Sequence, residues 1–305
     1  MYSMKQSKAY AVLCGLIVLC ILCALFIDGF SQGGIDLETV KPDKAAAALR
    51  YMPVYTSLQA ESAYESFEID TAHGGEGYIA VTAKSRLGIK LRVTSPRGTE
   101  IVYSVPNTGE VSFYPLSDGS GRYSLQLLRR TDDDPNGTKY ERVLEQSIDA
   151  SLYDEFQPFL RPSTYVWFTG YSYCVNEAAR LCAGVSNDNE KIRLIKNYVG
   201  EKLKYDESLA DSGDQGFIRD PDEILSRGTG VCLDYSVLIA AMLRSQGIPA
   251  KVVYGSVSGE EASHAWNMVY TSSRGWFRLD VPSSVSGAAD SFISDDANYT
   301  DAGWY

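Results

Sequence analysis

At 305 residues the chain is long enough for two ordinary domains, and its 45% hydrophobic and 22% charged residues are those of a globular protein. A net charge of −11 excludes nucleic acid as a partner, because little basic surface is left to neutralise phosphates. Six cysteines and two histidines set the small pool from which reactive groups can be drawn.

The first segment carries Lys5 and Lys8 and no acid, and is followed by the uncharged run Ala9–Ile27, "AYAVLCGLIVLCILCALFI". About 20 apolar residues cross a bilayer as a helix, so this run is just long enough for a transmembrane anchor. Lysines on one side and Asp28, Asp36 and Glu38 on the other place the N-terminus inside and the remainder outside. The rival reading is a cleaved signal peptide, with Gly29-Phe30-Ser31 as the small-residue site. Signal-peptide cores usually run about 7–15 residues, which favours the anchor. Cys14, Cys20 and Cys23 fall inside the run and read as apolar filler; lipid attachment at Cys20 or Cys23 is disfavoured by Leu19 and Leu22 before them.

Beyond residues 1–31, a juxtamembrane linker is expected over 32–61, with one short helix at Lys44–Tyr51. Residues 62–150 switch to short alternating runs: "YESFEID", "EGYIAVTAK", "GIKLRVTSP", "EIVYSVP", "EVSFYPL", "GRYSLQLLRR" and "YERVLEQSI". Turns such as "SPRGT", "PNTGE" and "SDGSG" separate them. Seven strands at this spacing predict a small β-sandwich, Ig-like or jelly-roll-like. His73 in "TAHGGEG" has no second imidazole nearby, so a metal is not expected there.

Residues 151–305 read as mixed α and β, giving an α+β chain overall. "YSYCVNEAARLC" and "NDNEKIRLIKNYVGEKLKYD" show helical periodicity. On one helix Cys174 and Cys182 stand about 12 Å apart, too far for a disulfide. "DESLADSGDQGFIRDPD" reads as a polar loop, and "DPDEILSRG" as a short turn or helix.

Cys232 then follows Gly228 and Gly230 and opens a long apolar helix that Gly247 and Pro249 end. The unpaired amides and the macrodipole at a helix start favour the thiolate form, and the two glycines allow a substrate backbone to approach. A base is available in "SHAWNMVYT", which holds His264, and an acid in "WFRLDVP", which holds Asp280. Pairing these runs as a hairpin with Tyr270 beside Trp276 sets Trp266 opposite Asp280. His264 and Asp280 then share a face as diagonal neighbours, about 7–8 Å apart at the backbone. Nucleophile, base and base-orienting acid are thus Cys232, His264 and Asp280. The Cys232 amide is one candidate oxyanion donor and Gln215 another, while Asp234 and Tyr235 read as a cap and a packing residue. Trp266, next to His264, either shelters an intermediate from water or packs in the core.

"DPDEILSRGTGVCLDYSVLIAAMLRSQGIPAKVVYG", "HAWNMVY" and "WFRLDVPSS" together resemble the core of the transglutaminase-like superfamily, with papain-like cysteine proteases as more distant relatives. The resemblance covers about Cys174 to Ser284 and departs from the usual pattern at Ser283, where the family has threonine. It implies Cys232 as nucleophile, His264 as general base and acid, and Asp280 as its orienter. It also implies a membrane-anchored or exported bacterial enzyme acting through a thioester on protein or peptide carboxamides. An amine acceptor makes it a transferase, and water makes it a protease or amidase. A non-enzymatic surface module on the same fold is the competing class. Expected partners are proteins or peptides at the cell surface or wall, and the membrane through the N-terminal helix. No cofactor and no metal is expected, since no His/Cys cluster or calcium loop is present. Asn136 and Asn298 would be glycosylation acceptors in a eukaryotic exported protein. The acidic, aromatic tail "DSFISDDANYTDAGWY" could dock or stay loose.

Overall fold

A computed structural model describes residues 65–131, 137–212, 218–259, 263–281 and 298–305. The apolar run Ala9–Ile27, the helix expected at Lys44–Tyr51, Asn136, Gln215 and Ser283 lie outside the described residues. Among the described residues no helix is long and apolar enough to cross a membrane.

All seven alternating runs are strands: β1 (Ser66–Asp70), β2 (Tyr78–Lys84), β3 (Ile89–Thr94), β4 (Glu100–Val105), β5 (Thr108–Pro115), β6 (Gly121–Arg130) and β7 (Tyr140–Ala150). They form two antiparallel sheets, β1-β2-β5 and β4-β3-β6-β7. Lettered A to G in chain order, these read A-B-E and D-C-F-G. This is the immunoglobulin constant arrangement with its fourth strand moved to the other sheet, which favours the Ig-like reading over the jelly roll. Period-2 alternation builds the core: Ile89, Leu91 and Val93 of β3 face inward beside Tyr123, Leu125 and Leu127 of β6. They pack against Ile79 and Val81 of the first sheet.

Polar contacts at Thr164 and Tyr165 tie the sandwich to the C-terminal half. Tyr165 Oη donates to the Ser104 carbonyl at 2.8 Å and accepts the Ser104 amide at 2.7 Å. Thr164 pairs with edge strand β5, its amide donating to the Phe113 carbonyl while its Oγ1 accepts the Phe113 amide.

The remaining elements are α1 (Tyr173–Leu181), α2 (Asp188–Lys202), β8 (Lys204–Tyr205), α3 (Glu207–Ser212), α4 (Pro221–Arg227), β9 (Thr229–Gly230), α5 (Cys232–Ser245), β10 (Ala250–Val257), β11 (His264–Thr271), β12 (Gly275–Leu279) and β13 (Tyr299–Trp304). Cap chemistry explains the helix starts. Asn187 accepts the Glu190 amide at 3.1 Å, and Asp220, with Pro221 at the first helical position, accepts the Asp222 amide at 2.8 Å. Asp222 reaches across to the first amides of α1, taking those of Tyr173 and Cys174 at 2.8 Å each.

Helix α5 is the axis of this half. Val237 to Leu243 are sealed from solvent, between the sheet β12-β11-β10-β13 on one side and α1, α2 and α4 on the other. A helix buried on all sides accounts for the near-continuous apolar run in the sequence.

The structure refines three readings. The stretch read as a polar loop contains α3. The glycines before Cys232 have a role in local packing. Gly228 adopts φ 68° to end α4, and a Cβ on Gly230 would lie 2.6 Å from Asp234 Cβ. Of the two readings of the C-terminal segment, residues 298–305 follow the docked one, for β13 completes the sheet beside β10 and Tyr305 is buried.

Candidate active site

Cys232 is the first residue of α5 and is 7% exposed, with a free thiol. Its helix start is held by Asp234, whose Oδ2 accepts the Val231 amide at 2.9 Å. Asp234 Oδ1 lies 3.4 Å from Arg219 Nε and 3.3 Å from Arg227 Nη2, so one buried carboxylate gathers the cap and two guanidinium groups. One turn on, Ser236 Oγ donates to the Cys232 carbonyl at 2.9 Å.

Strands β11 and β12 pair as a hairpin with Tyr270 opposite Trp276 and Met268 opposite Arg278, the register set by the turn at Gly275 (φ 71°). Extending it sets Trp266 against Asp280, just beyond β12. His264, at the start of β11, and Asp280 therefore meet on one face, with His264 Nε2 and Asp280 Oδ2 2.7 Å apart. The Cys232 side chain lies near enough to the imidazole to act, with Asp280, on its protonation. Cys232, His264 and Asp280 are thus brought together in that order.

Electrostatics follow from this arrangement. Burial of His264 disfavours its charged form, but the hydrogen bonds to Asp280 and Cys232 outweigh it and raise its pKa from 6.5 to about 10. The ring is positively charged at neutral pH beside a carboxylate and a thiol. Cys174, by contrast, sits in apolar surroundings next to Asp222, and burial followed by that negative charge pushes its thiol well up. Cys182 is likewise raised by burial. Both thiols are free and buried, and of the three only Cys232 has an imidazole beside it.

Two positioning contacts were not anticipated. Asn267 lies on the opposite face of β11 from His264, and its Nδ2 donates to the Ser236 carbonyl at 2.9 Å and the Lys251 carbonyl at 3.1 Å. This locks the histidine strand to the cysteine helix. The available signal was a polar residue on the core face of an otherwise alternating strand. The second is Tyr299 of β13, whose hydroxyl donates to Asp280 Oδ2 at 3.0 Å. No local pattern pointed to it, because residues 282–297 intervene. Trp266 is fully buried with its ring centroid 5.9 Å from that of His264 and 5.0 Å from that of Tyr299, so it forms a wall behind the imidazole.

His73 shares a 2.8 Å hydrogen bond with Glu76 and stacks on Tyr78. Among the described residues no group of three or more His, Cys, Asp or Glu side chains is arranged to hold a metal.

No curated protein sequence matches the chain. Among solved structures it is similar to a candidate cysteine protease from Cytophaga hutchinsonii, at 16% identity and TM-score 0.38, covering 82% of this chain and 81% of that one. EGTA-treated LapG of Legionella pneumophila matches at 13% identity and TM-score 0.31, covering 43% and 81%. Red sea bream transglutaminase matches at 14% identity and TM-score 0.28, covering 67% and 47%. The family model described as the transglutaminase-like superfamily matches residues 175–281, the stretch that holds Cys232, His264 and Asp280. Over residues 175–281, then, the chain is similar to the transglutaminase-like superfamily.

Proposed function

We propose that the chain is a cysteine acyl-transfer enzyme acting on protein or peptide carbonyls through a thioester at Cys232. The observation that carries this reading is the imidazole of His264, held between Asp280 and the Cys232 thiol at the start of a buried helix. In the first half-reaction the Cys232 proton resides on His264 and the thiolate attacks the carbonyl carbon of a carboxamide or peptide bond. The C–N bond breaks, the leaving amine takes the proton from His264, and the acyl group stays on sulfur. In the second, an amine or water attacks the thioester and gives its proton to His264, and the C–S bond breaks to restore the thiolate. Asp280 keeps the ring oriented throughout. The Cys232 amide, at a helix start where amides lack helical acceptors, would stabilise the oxyanion. The Val231 amide is already committed to Asp234.

Placement outside the cytoplasm, on an N-terminal anchor, is part of the same proposal and rests on the uncharged run and its flanking charges. Substrates would then be exported or wall-associated proteins and peptides.

The test offers the full-length protein a pool of glutamine- and asparagine-containing peptides with an excess of a fluorescent primary amine. Mass spectrometry reads amine incorporation, released ammonia and new amino termini. Incorporation that disappears in Cys232→Ala identifies a transferase, and deamidation or new termini that disappear in the same variant identify a hydrolase. The absence of all these products, and of any acyl adduct on Cys232, contradicts the proposal and leaves a binding module on the same fold.

A further inference from the structure

Strand β13 reaches the site from a part of the chain outside residues 175–281. It runs antiparallel to β10, with Val257 opposite Tyr299 and Ser256 opposite Thr300. Close approach is built into the partner strand, since a Cβ on Gly255 would lie 2.0 Å from the Thr300 carbonyl oxygen. Further along, the Trp304 indole donates to Ser117 of the sandwich at 3.1 Å, and the Tyr305 amide and carbonyl pair with Val252. The strand is therefore fixed at both ends, and its first residue meets the acid of the site.

Resting on the reading of Cys232, His264 and Asp280 as nucleophile, base and orienting acid, we infer that Tyr299 is a positioning residue of that site. Its hydroxyl holds the Asp280 oxygen that binds His264 Nε2, and draws charge from that oxygen, so that β13 sets how firmly the imidazole keeps its proton. Two donors share one carboxylate oxygen, His264 Nε2 at 2.7 Å and Tyr299 Oη at 3.0 Å. The side chain of Asp280 is wholly buried, so little water competes with either donor. A neutral donor on a buried carboxylate lowers the field that the carboxylate exerts on the neighbouring imidazolium. The ring must hold its proton while the thiolate forms and surrender it to the leaving amine. An acid too strongly basic would favour the first step and impede the second, and Tyr299 moderates it.

The tyrosine is itself held in place. Its ring meets Trp266 edge-on with centroids 5.0 Å apart, and the Arg278 guanidinium lies 4.2 Å from its centroid. Arg278 also lies 4.8 Å from the Trp266 ring and pairs with Asp301 at 3.4 Å. Among the described residues, the charged and titratable groups of this cluster are Cys232 from α5, Asp280 and Arg278 from β12 and its end, and Tyr299 and Asp301 from β13. Tyr254 belongs to β10, and burial raises its phenol.

The experiment uses the full-length protein labelled with 15N in histidine and tryptophan. Only two imidazoles have to be assigned, His73 and His264, and His264→Gln identifies the second. NMR titration gives the pKa of His264 in wild type and in Tyr299→Phe, while the Trp304 indole reports docking of β13. The inference expects the His264 pKa to rise in Tyr299→Phe by about half to one unit, a three- to tenfold tighter hold on its proton, with the Trp304 signal unmoved. An unchanged or lowered pKa overturns it. A change in pKa accompanied by loss of the Trp304 signal also overturns it, since strand undocking and not the hydroxyl would be the cause. If instead wild-type His264 titrates near 6.5, the paired-site reading itself fails, a result separate from the behaviour of the tyrosine variant.

Discussion

Removing the carboxylate of Asp234 should loosen the helix start that presents Cys232, and the structure allows the size of the effect to be worked out. Three interactions end at this buried side chain: the Val231 amide at 2.9 Å, Arg219 at 3.4 Å and Arg227 at 3.3 Å. Loss of a helix cap costs about 1 kcal/mol, and loss of an acid in the first turn about 0.5 kcal/mol more. A fully buried ion pair broken on one side would add about 3–5 kcal/mol. Arg227 is 42% exposed and Arg219 15%, so solvent takes up much of the orphaned charge and this contribution falls to about 1–2 kcal/mol. Asp234→Ala should therefore destabilise the protein by about 3 kcal/mol. Asp234→Asn keeps an acceptor for Val231 and should cost about 2 kcal/mol. Equilibrium urea unfolding of the full-length protein reads both values. A loss below about 1 kcal/mol in the alanine variant, or equal losses in the two, would refute the division into cap and charge.

A pH prediction follows from His264. Its folded pKa of about 10 lies above the ordinary 6.5, so the stability it contributes is fully present below pH 6.5 and is lost as pH rises towards 10. Urea midpoints at pH 6 and pH 10 should therefore diverge more for wild type than for His264→Gln, and parallel behaviour of the two proteins would count against the charged imidazole. Gly255→Ala should force β13 away from β10, because the new Cβ would meet the Thr300 carbonyl at 2.0 Å and Trp266 at 2.9 Å. Overpacking of this kind costs about 1–3 kcal/mol, a fall in Tm of about 2–12 °C by scanning calorimetry, and an unaltered Tm would show that the strand does not sit this close.

Much of the fold could be read from local pattern, and the reasons are physical. Sandwich strands such as β3 and β4 announced themselves because one face is more buried than the other, which imposes period-2 alternation between turn residues. The hairpin carrying His264 and Asp280 was legible for a related reason: Tyr270 opposite Trp276 fixes every other pair, since a one-residue slip would reverse both faces. Helix α5 stood out through its length and its stop at Gly247 and Pro249. What escaped notice depends on long-range geometry. Asp222 capping the start of α1, Asn267 joining β11 to α5, and Tyr299 meeting Asp280 each link positions whose sequence separation gives no periodic signal. The close packing of Gly230 on Asp234 was likewise not legible, because a glycine before a nucleophile suggests only room for substrate.

The central claim is that Cys232 is a nucleophile kept reactive by His264. The most direct measurement is the rate at which iodoacetamide modifies Cys232 at pH 6 to 7 in the full-length protein, located by peptide mass mapping, in wild type and His264→Ala. Buried Cys174 and Cys182 serve as internal references. The account predicts that Cys232 is labelled well ahead of both, and that the histidine variant slows it by about tenfold or more. Labelling of Cys232 at the same rate with and without the imidazole would contradict it.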